Sequence, residues 1–249
     1  MEDSPRFEPS LAARVLPPPL LQALRHVFAQ RISGCMLVGG TALAGFYAGH
    51  RRSDDLDLFT GSAAAFTETV LAVRTVRSLG VELVEAAHSN QYFRAMCHHR
   101  ELSFTVDVVH DEHVFGITDT NRSGDVVVAG LSGLLAMKAA TLVSRCSEKD
   151  LYDLVWLCNA FPDRALPDLI ELARTVDGGV TGETLVYSIG STRLEREACG
   201  FAVEFGVSAA AVFRQVTAFQ RDLLTSLDRH LTRGATSPLR DLVRRIRTL

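Results

Sequence analysis

The sequence predicts an α+β fold in two parts, a sheet-bearing core over residues 1–130 and a helical part over residues 131–249. Three observations lead there. Apolar runs of strand length, bounded by turn residues, recur only before Leu131. After it the elements read are all helices, with almost no strand signal between them. With 249 residues and 47% apolar side chains, the chain can bury a sizeable core.

After Pro17-Pro18-Pro19, apolar residues at 20, 21, 24, 27 and 28 follow the 3.6-residue period, which predicts a helix over residues 20–30. Residues 35–38 read as a short strand running into Gly39-Gly40, and a small-residue helix is expected from about residue 41 to 49. A second strand is expected over residues 56–59, then a helix over 62–79 stopped by Gly80. Further strands are expected over residues 81–86, 92–97, 102–109 and 126–129. Beyond them, residues 132–143, 147–160, 167–176, 207–231 and 237–248 read as helices. The tail from Arg233 carries arginines at 233, 240, 244, 245 and 247 against Asp241 alone. It reads as a solvated helix face, with contact to a phosphate backbone as the alternative.

Composition excludes several classes. A formal net charge of −3 with 22% charged residues suits neither an acidic disordered tail nor a basic nucleic-acid coat. No apolar run reaches the roughly 18 residues that a membrane span requires. Met1 to Pro9 carries acids and prolines, unlike a signal peptide. The five cysteines are odd in number and include no Cys-x-x-Cys pair, which argues for reduced thiols and a cytoplasmic protein. Of the 26 basic residues only Lys138 and Lys149 are lysine, the mark of an arginine-biased composition that singles both out.

The chemistry concentrates in two strings, Leu37-Val38-Gly39-Gly40-Thr41-Ala42-Leu43-Ala44 and His50-Arg51-Arg52-Ser53-Asp54-Asp55-Leu56-Asp57-Leu58-Phe59. A strand that enters a helix through two glycines offers close backbone approach and unpaired N–H groups to a phosphate. Neither the Walker A spacing nor the Rossmann Gly-x-Gly-x-x-Gly is present. On the following strand, Asp55 and Asp57 project to one face while Leu56 and Leu58 turn to the core. Two such carboxylates repel unless a hard cation such as Mg²⁺ sits between them; a polar strand end with exposed acids is the plain alternative. Asp107 lies in the apolar strand of residues 102–109, where an acid is costly to bury unpaired. If that strand neighbours Asp55, three carboxylates converge and could hold two metal ions for phosphoryl or nucleotidyl transfer, with Asp107 helping to activate the attacking hydroxyl. His98, His99, His110 and His113 fall at strand ends without ligand spacing and read as loop residues.

Gly39-Gly40, Ser53, Asp55-x-Asp57 and Asp107 together resemble the nucleotidyltransferase superfamily with the DNA polymerase β-like fold. The fuller string through Phe59 is similar to the AbiEii/AbiGii abortive-infection toxins. Lys138, Ala140, Arg145 and Lys149-Asp150-Leu151-Tyr152-Asp153-Leu154 match the downstream signature of that family. The resemblance implies a polymerase β-like core whose cleft is completed by the helical part. It assigns Gly39, Gly40, Thr41 and Ser53 to the triphosphate, and Asp55, Asp57 and Asp107 to two Mg²⁺ ions. Lys138 would reach nucleotide phosphate as a compact cation. Asp150 and Asp153, three apart on one helix face, would join the nucleotide-binding and catalytic groups. The plain alternative for Asp150 is a helix N-terminus capped by Ser147. The implied reaction moves a nucleoside monophosphate from an NTP to a hydroxyl such as a tRNA 3′ end, with a cognate antitoxin as partner. A small-molecule or protein acceptor, or a non-catalytic nucleotide- or antitoxin-binding module, are the alternatives.

Overall fold

A computed structural model describes residues 6–244 and 246. The chain forms two compact units, one of Arg6–Leu134 and one built from the chain after it.

In the first unit, short α1 (Leu11–Val15) and α2 (Pro18–Phe28) precede β1 (Cys35–Val38). Next, α3 (Gly39–Leu43) passes into a π-helical turn over Ala44–Ala48 and stops at Gly49, whose φ is +59°. There follow β2 (Asp55–Thr60), α4 (Ala63–Arg74) with a 3-10 turn over Thr75–Leu79, β3 (Glu82–His88), β4 (Tyr92–His99) and β5 (Leu102–His110). The unit is completed by α5 (Glu112–Ile117), β6 (Thr120–Ser123) and β7 (Val126–Ala129). The strands form one mixed sheet in the order β3-β4-β5-β2-β1-β7-β6.

Burial explains the order. Central β1 is buried at all four positions, as a strand covered on both faces must be. In β2, Leu56, Leu58 and Thr60 are buried, while Asp55, Asp57 and Phe59 share the other, half-exposed face. Behind the sheet, α2 supplies Leu20, Leu24 and Val27 and α4 supplies Phe66, Val70 and Val73, all buried. Each such side chain contributes about 1.5–3 kcal/mol of transfer free energy.

Where sequence and structure differ, local chemistry gives the reason. The helix expected over residues 62–79 loses α geometry after Arg74, where Thr75 Oγ1 donates to the Ala72 carbonyl at 2.6 Å and competes with the ladder. Strand β6 has no apolar period to announce it, since three of its four residues are exposed; it exists because Gly124 turns the chain so that it pairs with β7. Helix α5 is six residues long and starts where the Asp111 carboxylate accepts from Val114 N.

From β7 the chain enters α6 (Leu131–Ser144). The second unit adds α7 (Glu148–Ala160), α8 (Leu166–Val176), α9 (Gly182–Ser191), a 3-10 segment over Arg196–Phe205, α10 (Ala209–Arg233) and α11 (Leu239–Val243). One face of α10, carrying Val212, Val216, Phe219, Leu223 and Leu227, is buried, and this helix packs on α7 and α9. The expected helix at residues 237–248 is α11; Arg245, Arg247 and Thr248 lie outside the described residues. The sequence does not announce α9, which mixes Thr, Val, Tyr, Ser and Gly, but Thr181 and Thr184 form a reciprocal cap that starts it. Among the described residues no single helix is long and apolar enough to cross a membrane.

Candidate active site

The first unit builds a site around the N-terminal end of β2. Its neighbours are antiparallel β1 and parallel β5, with Val38 and Asp107 opposite Asp57 and Thr105 opposite Asp55. Register partners point to the same face, so Asp55, Asp57, Thr105 and Asp107 crowd one patch of sheet.

Glycine is required beside this patch. Gly39 has φ +68°, and a Cβ there would fall 2.0 Å from Asp57 Oδ2. The Asp57 carboxylate thus occupies the space that any other residue at 39 would fill. At Gly40 a Cβ would fall 2.3 Å from Arg51 Nη2 and 3.3 Å from Ser53 Oγ. Arg51 is buried and donates from Nη1 to the Arg52 carbonyl at 2.8 Å, while Arg52 Nε meets Asp54 Oδ1 at 2.6 Å. Thr41 Oγ1 donates to the Asp55 carbonyl and lies 2.9 Å from Ser53 Oγ. Thr41 and Ser53 are both buried, so their hydroxyls peg α3 to the start of β2. Thr105 Oγ1 donates to Asp55 Oδ1 at 2.7 Å, which orients that carboxylate.

Asp107, only 8% exposed, is engaged from β4. Its Oδ1 accepts from Tyr92 OH at 2.7 Å and from Arg94 Nε at 2.8 Å, and its Oδ2 accepts from Arg94 Nη2 at 2.8 Å. This fork is the strong, planar form of the ion pair. The hydrogen bond to Asp107 pushes the Arg94 guanidinium above its ordinary range. Burial, followed by the Asp107 hydrogen bond, raises the Tyr92 phenol.

The second unit holds a buried cluster. Lys138 Nζ lies 2.9 Å from Asp150 Oδ1 and 2.9 Å from Asp153 Oδ2. All three residues are buried, with exposures of 7%, 1% and 0%. Ser147 caps α7: its Oγ accepts from Asp150 N at 3.3 Å and donates to Asp150 Oδ2 at 2.6 Å. Burial pushes the Asp150 carboxyl up, but Lys138, Ser147 and Arg145 more than offset it and hold it below the usual carboxylate range.

The model of the nucleotidyl transferase AbiEii toxins, of type IV toxin–antitoxin systems, matches residues 22–223. The chain belongs to the AbiEii family. It is a nucleotidyltransferase of a toxin family. Among solved structures, the chain is similar to MenT4, a nucleotidyltransferase toxin of Mycobacterium tuberculosis H37Rv, with a TM-score of 0.50 at 17% identity over 97% of this chain and 95% of that one. It is also similar to a candidate nucleotidyltransferase from H. pylori, with a TM-score of 0.48 at 17% identity over 80% of this chain and 93% of that one. No curated protein sequence matches the chain.

The AbiEii match frames how the expected residues are arranged. Gly39, Gly40, Thr41, Ser53, Asp55, Asp57 and Asp107 come together in the first unit. Asp55 and Asp57 fit a divalent cation: they offer two hard oxygen donors on one face, and Gly39 leaves the Asp57 carboxylate its space. Asp107, the expected third acid, shares that face and is paired with Arg94 and Tyr92. Among the described residues no group of three or more His, Cys, Asp or Glu is arranged to hold a metal ion. Lys138, expected to reach phosphate, pairs with Asp150 and Asp153, which were expected at the same site.

Arg94 and Tyr92 are the residues that sequence reading missed. A signal was available. In a hairpin turning at Arg100 and Glu101, Arg94 falls opposite Asp107, and the structure has this register. Arg100, at φ +56°, makes the turn.

Proposed function

We propose that this AbiEii-family enzyme is a Mg²⁺-dependent cytoplasmic toxin that transfers a nucleoside monophosphate from an NTP to a tRNA 3′ end and is neutralised by a cognate antitoxin. The observation that carries the reading is the Asp55–Asp57 pair on one face of β2, seated over a glycine that nothing larger could replace. Asp55 and Asp57 would hold the ion, which when bound supplies positive charge to the triphosphate. The backbone at Gly39-Gly40 can approach the phosphates without a side chain between them. The acceptor hydroxyl oxygen bonds to the α-phosphorus as the bond to the bridging oxygen of the β-phosphate breaks, releasing pyrophosphate and the hydroxyl proton. Thr105 holds Asp55 in a fixed orientation, and the Asp57 carboxylate rests on Gly39, so the pair requires little rearrangement before reaction.

The test incubates the protein with each labelled NTP and Mg²⁺, in the presence of total RNA, total protein or small-molecule hydroxyl acceptors. Label is expected at tRNA 3′ ends, and it should vanish with Asp55→Ala or Asp57→Ala while the melting curve persists. Wild-type-like incorporation by either variant overturns the metal assignment. Label on protein or on a small molecule replaces the acceptor.

A further inference from the structure

The acid at position 107 has the strand position of a third metal ligand and the bonding of something else. Its two oxygens accept three hydrogen bonds, two of them from one guanidinium in a bidentate fork. A metal ion on this carboxylate would have to sit beside the guanidinium, cation against cation. Arg94 stands opposite Asp107 in register, and Asp107 stands opposite Asp57, so the guanidinium lies on the sheet face that carries Asp55 and Asp57. It is not buried there: its side chain is 46% exposed, and Nη1 takes no part in the fork. Arg94 also lies over the Tyr92 ring, with Cζ 6.0 Å from the centroid, so the carboxylate and the ring together fix the plane of the cation.

A guanidinium held rigidly, partly open to solvent and two strands from a carboxylate pair is suited to one task. It presents an N–H edge to an anion delivered next to those carboxylates. We propose that Asp107 is a positioning residue for Arg94 and not a metal ligand, and that Arg94 binds a phosphate oxygen of the nucleotide beside an ion held by Asp55 and Asp57. This rests on the nucleotidyl-transfer reading and deepens it. The chain's own fixed cation supplies charge where a second metal ion was expected.

The experiment uses the full chain, with Mn²⁺ as probe followed by electron paramagnetic resonance, and titrates each of the four NTPs by calorimetry. Asp57→Asn is expected to weaken Mn²⁺ binding by more than about a hundredfold, since an outer-shell partner alone is worth about 10–100-fold. Asp107→Asn should weaken Mn²⁺ binding by no more than about tenfold, the effect of a lost neighbouring charge and not of a lost ligand. Both Asp107→Asn and Arg94→Gln should weaken NTP binding and raise its KM by about tenfold, the loss of one charge-assisted hydrogen bond. Arg94→Lys should not rescue, because an ammonium cannot hold the fork and reach outward together. Thermal melts identify any variant that fails to fold, and Arg94→Gln then carries the test independently of Asp107→Asn. Loss of Mn²⁺ affinity in Asp107→Asn comparable to that in Asp57→Asn makes Asp107 a metal ligand and overturns the proposal. Unchanged NTP affinity in Arg94→Gln overturns the role of Arg94. If Asp57→Asn keeps both Mn²⁺ binding and nucleotide incorporation, the assignment of the ion to Asp57 has failed; a wild-type chain that incorporates none of the four NTPs onto any acceptor is the separate failure of the nucleotidyl-transfer reading.

Discussion

Lys138 shows how one side chain can be chosen against the drift of a whole composition. The chain has 24 arginines and two lysines, yet a lysine stands between Asp150 and Asp153. A compact ammonium places one nitrogen 2.9 Å from both carboxylates, whereas a planar guanidinium is broader and longer. Lys138→Met should cost about 3–5 kcal/mol, since two buried carboxylates lose their counter-charge. Lys138→Arg should also lower the midpoint, although arginine serves elsewhere; urea titration measures both. Gly39 is as restrictive. Gly39→Ala adds a side chain at φ +68° and pushes Asp57 aside. Strain of about 1–2 kcal/mol is expected in denaturation. A displaced carboxylate should lower turnover by about a hundredfold in the labelled-nucleotide assay. Retained turnover would mean that Asp57 tolerates the displacement.

Elements differ in how openly the sequence announces them. The limits of β1 and β7 follow directly from apolar runs of four residues between turn residues. The start of α7 follows from Ser147, and its helical period from Leu151, Leu154, Leu157 and Cys158. Removing that hydroxyl by Ser147→Ala should cost about 1–2 kcal/mol, because it caps α7 and also satisfies an oxygen of buried Asp150. A loss below half of that lower figure in chemical denaturation would show that another group replaces the cap. Strand β6 and helix α9 were not legible, because each depends on a partner or on a two-residue cap instead of its own periodicity. The candidate site divides the same way. Asp55, Asp57 and the two glycines are local in sequence and declare themselves by spacing. Arg94 matters only through its opposite residue, so it becomes visible once β4 and β5 are in register.

At the scale of the molecule, the change from strands to helices after β7 was legible because it rests on periodicity over long stretches, which single misassigned elements do not disturb. Four of the five cysteines are buried and Cys146 is half-buried. Burial pushes the Cys158 thiol up to about 12 and those of Cys35, Cys97, Cys146 and Cys199 up to about 11. Thiolate is scarce at pH 8, so a disulfide reagent such as DTNB should react slowly with native protein and rapidly once denaturant unfolds it. Rapid stoichiometric labelling of native protein would contradict this.

The pairing of β2 with β5 has a kinetic consequence. Thr105 and Asp55 touch across 50 positions of sequence, and α4, β3 and β4 must be threaded between them before the parallel ladder closes. Closing so long a loop costs entropy before any contact repays it, and sheets with such non-local pairing fold slowly. The Asp55–Asp57 pair exists in sequence from the moment residue 57 is synthesised. Its orienting threonine and its neighbouring ion pair do not exist until residue 110 has been laid into the sheet. An emerging or half-folded chain therefore carries the acids without the assembled site, and competence for chemistry arrives with the completed sheet.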